Sequence, residues 1–429
     1  MLLIVDILYG DKILPLELPE DQVESILEAK PLSVDRSEEE LIAEALANPI
    51  GSAPLAELVS SGETAVIVVS DMTRVWVRHE RFLPSLLNEL NRGGIADSNI
   101  TIISATGDHR GQSAAEHRTL VGDEVFKRVA VYDHSSHNES ELVFVGDTTR
   151  GTPVWINRRV TEANRLILTG GIVYHFLAGW GGGKKALLPG VAGHKTIMRN
   201  HSLAFLPGDG SGLNPKVCAG SVKGNPLAED MLEAMGMIKP DFLLNTVIDE
   251  EHGNIAAVFA GNPNAAHEAG CLFVDRHFRV PLKRRSPVVI ASCGGYPKDI
   301  NFYQTYKTIY NASFALQKGG TLFLISECRE GVGSNQFFEI FTAYSSSAER
   351  EAALRRNYSI GGQMAYHTAL LAEENDLLLL SDLPEVTVRS MGMIPVRSLE
   401  AGLAWIKAKH GIIPPCCIMP HGGSTMPVL

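Results

Sequence analysis

The stretch TAVIVVSDMTRVWVRHERFLPSLLNEL, residues 64–90, decides the fold. Thr64–Ser70 is a run of β-branched and apolar residues too short for an ordinary helix. Asp71–Arg74 interrupts it with polar groups, and Arg81–Leu90 then carries apolar residues at helical spacing. Strand, polar turn and helix in that order make a βα unit, and the pattern recurs along the chain. Further strands are expected at Ile100–Ser104, Arg165–Thr169, Val288–Ser292, Thr321–Ser326 and Leu377–Leu380, with helices at Ala228–Met235, Phe302–Leu316 and Leu399–Lys409. Such alternation predicts an α/β protein with mainly parallel sheets. Ahead of it, ILYGDKILPLELP (7–19) reads as a hairpin turning at Gly10-Asp11. HFRVPLKRRSPVV (277–289) combines proline, a basic cluster and a loss of periodicity. A domain boundary is placed there, dividing the chain into 1–280 and 281–429, with the last residues allowed to return to the first domain. Two lobes with a cleft between them are the expected arrangement.

Composition narrows the function. The 429 residues are 45% hydrophobic and 20% charged, enough for two substantial cores. Thirty-eight Lys+Arg against 49 Asp+Glu give a net charge of -11, which disfavours nucleic acid and anionic membrane surfaces as partners. MLLIVDILYG lacks a basic start and meets Asp6 early, so neither a signal peptide nor a membrane helix is expected, and the cytoplasm is the default compartment. The six cysteines form no C-x-x-C pair and read as buried free thiols.

In open α/β sheets ligands bind beyond the carboxyl ends of the strands. The residues there are Asp71-Met72-Thr73-Arg74, Asp108-His109-Arg110 and His175. Each alone suits a helix cap or a loop. Together they aim acid, imidazole and guanidinium groups at one edge, and two histidines from different strands suit chemistry on both faces of a substrate. The densest segment, His175–Gly190, contains Gly181, Gly182 and Gly183 followed by Lys184 and Lys185. Backbone N–H groups of a glycine run plus two lysines suit a phosphate, although Ala186 and the spacing exclude a Walker A loop. His201 adds imidazole near His175 and His194 without a recognised metal-ligand spacing, which leaves a metal open. In the second lobe Tyr303 and Lys307 stand i, i+4 with Gln304 beside them near a helix start, a plausible carboxylate site.

These motifs resemble the nickel-pincer lactate racemase family over nearly the whole chain: D-x-T-R at Asp71–Arg74, T-G-x-H-R at Thr106–Arg110, His175–Gly190, Asn200-His201, and Y-P-x-D…Y-Q-x-x-K at Tyr296–Lys307. The resemblance implies a nickel-dependent 2-hydroxyacid racemase or epimerase. Its cofactor would be the nickel-pincer nucleotide, pyridinium-3-thioamide-5-thiocarboxylic acid mononucleotide, attached covalently to Lys185. It also implies His201 as the nickel ligand, His109 and His175 as paired acid/base residues, and Arg74, Tyr303, Gln304 and Lys307 as substrate-carboxylate contacts. Residues 1–280 become the cofactor-binding domain, with Asp71, Gly182, Gly183 and Lys184 around the nucleotide and Asp71 orienting Arg74. Residues 281–429 become the substrate clamp. Proteins that build and insert the cofactor are implied partners. Asp108 departs from the motif, which expects a small or neutral residue before the histidine, and Gln363 is expected to make the substrate region more polar. Two other readings remain: a zinc hydrolase with His109, His175 and His201 as ligands, and a non-catalytic protein that clamps a small anion.

Overall fold

The computed structural model describes residues 1–29, 32, 35–249 and 252–429. It divides the chain into two compact units. A central unit comprises Pro31–Leu206 and Leu213–Arg276; a terminal unit comprises Met1–Lys30, Pro207–Gly212 and His277–Leu429.

In the central unit a six-stranded sheet runs in the order Asn254–Gly261, Phe242–Asp249, Arg165–Gly171, Ala65–Ser70, Ile100–Ala105, Ala130–Asp133. All neighbours are parallel except the first pair. Ala65–Ser70 is buried at every position but its last, as a strand covered on both faces must be. Ala65, Ile67 and Val69 enter one core with Phe82, Leu83, Leu86, Leu87 and Leu90 of helix His79–Arg92. Val66 and Val68 enter a second core with Ile197, Leu227, Met231 and Met235, contributed by helices His194–Ser202 and Pro226–Ile238. Full burial of five apolar side chains on helix 79–92 supplies about 1.5–3 kcal/mol each, which outweighs the Pro84 within its first turns.

The terminal unit holds an all-parallel sheet in the order Ile394–Val396, Asp376–Leu380, Leu316–Ile325, Ser286–Ser292, Cys416–Met419, Val23–Ile26. The hairpin Leu2–Tyr9/Lys12–Pro19 turns at Gly10-Asp11 as the sequence indicated. Its Val5, Ile7, Leu16 and Leu18 pack on Val288, Ile290, Phe323 and Ile325.

The expected split at 280 therefore needs correction at both ends of the chain. Residues 1–30 leave the first domain because Val23–Ile26 extends the second sheet. The hairpin turn is also anchored there, with the Gly10 N–H donating to Asp299 Oδ2 at 2.6 Å. The chain's last strand, Met426–Val428, pairs with Arg279–Pro281 in the terminal unit and does not return to the central one. All six cysteines are free thiols, and all but Cys218 are buried. Among the described residues no helix is long and apolar enough to cross a membrane.

Candidate active site

Strand order reverses at Ala65–Ser70, which has Ile100–Ala105 on one side and Arg165–Gly171 on the other. The crevice at such a switch point is the usual ligand site of an open α/β sheet. Asp71–Arg74, Thr106–Arg110 and His175 follow those three strands. The loop bearing His109 is fixed by the Gly107 N–H donating to the Gly190 carbonyl at 2.9 Å, which joins two of the sequence motifs.

Asp71 is buried, and its carboxylate accepts from His109 Nδ1 at 2.5 Å and from Thr73 Oγ1 at 2.5 Å. The Arg74 Nη1 stands farther off, at 3.4 Å. Asp71 thus orients His109 more directly than the Arg74 expected from the motif. Burial works to raise its carboxyl, but the hydrogen bonds from His109 and Thr73 prevail and hold it below the usual carboxylate range. With the proton on Nδ1, His109 keeps a lone pair on Nε2.

His175 is bound the opposite way. The N–H groups of Leu177 and Ala178 both donate to its Nδ1, each at 3.2 Å, so the neutral ring carries its proton on Nε2. Burial first, and then the cationic side chains around it, Lys185 and Arg74 foremost, hold this imidazole well below its ordinary pKa. The pair expected to share acid/base work starts from opposite tautomers.

Lys185 lies in the same electropositive neighbourhood. Burial, then Arg74 and Lys184, press its amine well below the usual lysine pKa. Lys184 is 1% exposed, its Nζ has no hydrogen-bond partner among the described residues, and burial pushes it down to about 8. His201 is buried on helix His194–Ser202 and donates from Nδ1 to the Ile197 carbonyl at 2.9 Å, which places the lone pair on Nε2. Burial, then Lys185, holds it down to about 4, so it stays neutral as a metal ligand must. Its neighbour Asn200 has a supporting role, donating to Asp230 Oδ2 at 2.8 Å and so tying helix 194–202 to helix 226–238.

The triglycine also has a packing role. Gly182 and Gly183 take positive φ, +69° and +51°. Two N–H groups of the run are used internally, Gly181 to the Val173 carbonyl at 2.8 Å and Gly183 to Asn245 Oδ1 at 3.0 Å. A Cβ on Gly182 would lie 2.7 Å from Asn245 Oδ1, and one on Gly183 would lie 2.6 Å from the His267 ring. The glycines let the lysine-bearing turn seat against the sheet. Asn245 and His267 are residues that sequence reasoning missed. Asn245 sits within the buried run Phe242–Asp249, and His267 donates from Nε2 to the Gly181 carbonyl at 2.8 Å.

The remaining candidates belong to the terminal unit. Tyr303, Gln304 and Lys307 stand in the first two turns of helix Phe302–Ala315, which Asn301 caps by accepting from the Gln304 N–H at 3.0 Å. Tyr303 is half-buried, edge-on to Phe337, while Lys307 is exposed. Burial raises the Tyr303 phenol. Gln363 is buried and accepts from the Tyr358 hydroxyl at 2.5 Å, so its amide oxygen is engaged within the unit. In the Tyr296–Asp299 motif the aspartate is structural: Asp299 Oδ2 accepts from Gly10 and, at 3.2 Å, from the Glu327 N–H.

Comparison with known proteins bears on this arrangement. The family model for the lactate racemase N-terminal domain matches residues 9–212, and that for the lactate racemase C-terminal domain matches residues 282–426. The lactate racemase of Thermoanaerobacterium thermosaccharolyticum is 35% identical over 339 residues, covering 79% of this chain and 77% of that one. The lactate racemase of Lactiplantibacillus plantarum is 33% identical over 392 residues, 90% of each chain. The structure of the T. thermosaccharolyticum lactate racemase apoprotein superposes with a TM-score of 0.90 at 30% identity over 100% of both chains. A Thermotoga maritima protein shares the fold, with a TM-score of 0.65 at 20% identity over 94% of this chain and 100% of its own. With both family domains matched in order and the paired α/β units that carry them in place, the chain belongs to the lactate racemase family.

Proposed function

We propose that this protein is a racemase acting at C2 of a 2-hydroxy acid, with lactate the first substrate to try. The observation that carries the reading is Lys185: an amine depressed by burial and by neighbouring cations, at the switch point, beside a neutral His201. The residues fit the nickel-pincer nucleotide. A lysine amine held below its ordinary pKa is a better nucleophile, suited to hold the group covalently, the Lys184 Nζ, without a hydrogen-bond partner among the described residues, suits one of its anionic groups, and the Nε2 lone pair of His201 suits nickel. When bound, the group supplies the acceptor for the hydride leaving C2.

His109 Nε2 takes the hydroxyl proton as the C2 hydrogen departs with its electron pair, which leaves a planar 2-oxo acid. Asp71 stabilises the imidazolium that forms. His175 donates its Nε2 proton in a hydrogen bond to the substrate oxygen. To act as the base for the opposite enantiomer it must shift that proton to Nδ1, releasing the N–H groups of Leu177 and Ala178. Arg74 holds substrate charge, and Tyr303, Gln304 and Lys307 keep the carboxylate-binding role implied by the family motif.

The zinc-hydrolase reading needs His109, His175 and His201 to converge as ligands. Among the described residues the one His/Cys/Asp/Glu set whose ligand atoms do so is Asp108, His137 and His194. The anion-clamp reading loses two of the three glycine N–H groups on which it drew.

The test is production of the full chain together with cofactor-building and cofactor-inserting proteins, followed by intact-mass analysis, peptide mapping and a chiral assay. A mononucleotide-sized adduct on Lys185 with nickel, and interconversion of D- and L-lactate or a related acid, is the expected result. An unmodified Lys185 in that preparation overturns the reading. Lys185→Ala is expected to carry neither adduct nor activity.

A further inference from the structure

Asp108, His137 and His194 come together from three separate segments of the central unit. Asp108 follows the strand Ile100–Ala105, His137 follows the neighbouring parallel strand Ala130–Asp133, and His194 opens helix His194–Ser202. Asp108 Oδ1 lies 2.9 Å from His194 Nδ1 and 3.0 Å from His137 Nε2. The two imidazoles stack with ring centroids 4.4 Å apart. All three ligand atoms lie within 4.8 Å of one another, which among the described residues is true of no other set of three.

The cluster is supported as metal ligands usually are. Ser136, itself buried, donates from Oγ to Asp108 Oδ1 at 2.8 Å. The His194 N–H donates to the Ser136 carbonyl at 2.9 Å, which couples the His137 loop to the helix start. Partners of this kind fix the orientation of first ligands.

We propose that Asp108, His137 and His194 form a two-histidine, one-carboxylate site for a divalent first-row transition ion, zinc or nickel, made of none of the residues assigned to the cofactor. Imidazole and carboxylate without sulfur suit these ions, and the exposed side of the cluster leaves the remaining positions to water. Bonds of ~2.0–2.2 Å to a common ion put ligand atoms ~3.3–3.5 Å apart. The two carboxylate–imidazole separations need to open by only a few tenths of an ångström. Each imidazole then moves its proton to the other ring nitrogen and turns a lone pair to the ion. Asp108 directly precedes His109. An ion held there fastens the backbone from which the acid/base histidine projects.

The test uses the full chain, produced without cofactor-building proteins and stripped with a chelator. It is titrated calorimetrically with zinc chloride and with nickel chloride, and the ion content is counted after desalting. His201→Ala serves as the background that removes the other candidate ligand. One ion per chain is expected in that background, with affinity weakened at least about tenfold on adding His137→Ala or Asp108→Asn. Cobalt substitution gives an independent readout, visible d–d bands that the same changes abolish. His137 is 68% exposed, so its replacement leaves the fold intact, and thermal midpoints of the stripped proteins check this. An absence of binding in the background protein, or binding and spectra unchanged by His137→Ala and Asp108→Asn, overturns the proposal. The outcome is independent of whether Lys185 carries an adduct.

Discussion

Asp71 accepts from His109 across 38 residues of chain, and that contact sets the protonation logic of the site. Replacing it with asparagine keeps the shape but removes the charge that stabilises an imidazolium. Asp71→Asn is expected to lower the rate of racemisation by about 10²–10⁴-fold, while mass analysis of the same sample still finds the Lys185 adduct. A rate within tenfold of the parent would take Asp71 out of the acid/base apparatus. The residue types were legible in D-x-T-R, but the partner was not. Spacing offers Arg74, three positions away, and the true close contact forms only when two parallel strands bring their carboxyl ends side by side. The opposite tautomers of His109 and His175 were equally hidden, because backbone donors at Leu177 and Ala178 leave no trace in composition.

At the scale of elements, the turn Gly183–Ala186 shows what a glycine run is for. Gly183→Ala places a methyl against the buried His267 ring and forces an L-residue to φ +51°. The left-handed backbone costs about 1–2 kcal/mol and the overpacking about 1–3 kcal/mol. Chemical denaturation is therefore expected to show a loss of about 2–5 kcal/mol, with cofactor retention falling as the turn shifts. An unchanged denaturation midpoint would mean that the turn is not seated as described. Most strands and helices were readable to within a few residues, as with Ile100–Ala105 and Phe302–Ala315. Phe242–Asp249 was not singled out. Every position in it is buried, so no polar alternation announces it. Its Asn245 makes sense only against the glycine turn packed above it.

For the whole molecule, the placement of the N-terminal hairpin and of Val23–Ile26 in the terminal unit was not readable from local pattern. Adding Val23–Ile26 beside Cys416–Met419 joins the two ends of the chain, and no local pattern encodes such a pairing. Burial of titratable groups across the central unit yields the last prediction. His79, His134 and His267 are buried as neutral rings, pushed by burial down to about 3, about 4 and about 4. Each is held in one tautomer: His79 Nε2 accepts from the Ser70 N–H, His134 Nε2 donates to the Ala192 carbonyl, and His267 Nε2 donates to the Gly181 carbonyl. In the unfolded chain each titrates near 6.5. Their folded pKa values are depressed, so the stability they confer is present above pH 6.5 and is lost as pH falls from there toward 4, where the unfolded chain binds protons that the folded one excludes. The slope is about 1.4 kcal/mol per pH unit for each group, so three together remove about 10 kcal/mol by pH 4, comparable with the whole stability of a typical domain. The central unit is expected to unfold in acid before pH 4 is reached, with a denaturation free energy that declines from pH 6.5 downward. Replacing His134 by glutamine should lessen that slope by about one proton's worth. A stability profile flat between pH 6.5 and 4.5 would show that these rings take up protons without unfolding, and would contradict their burial as neutral rings.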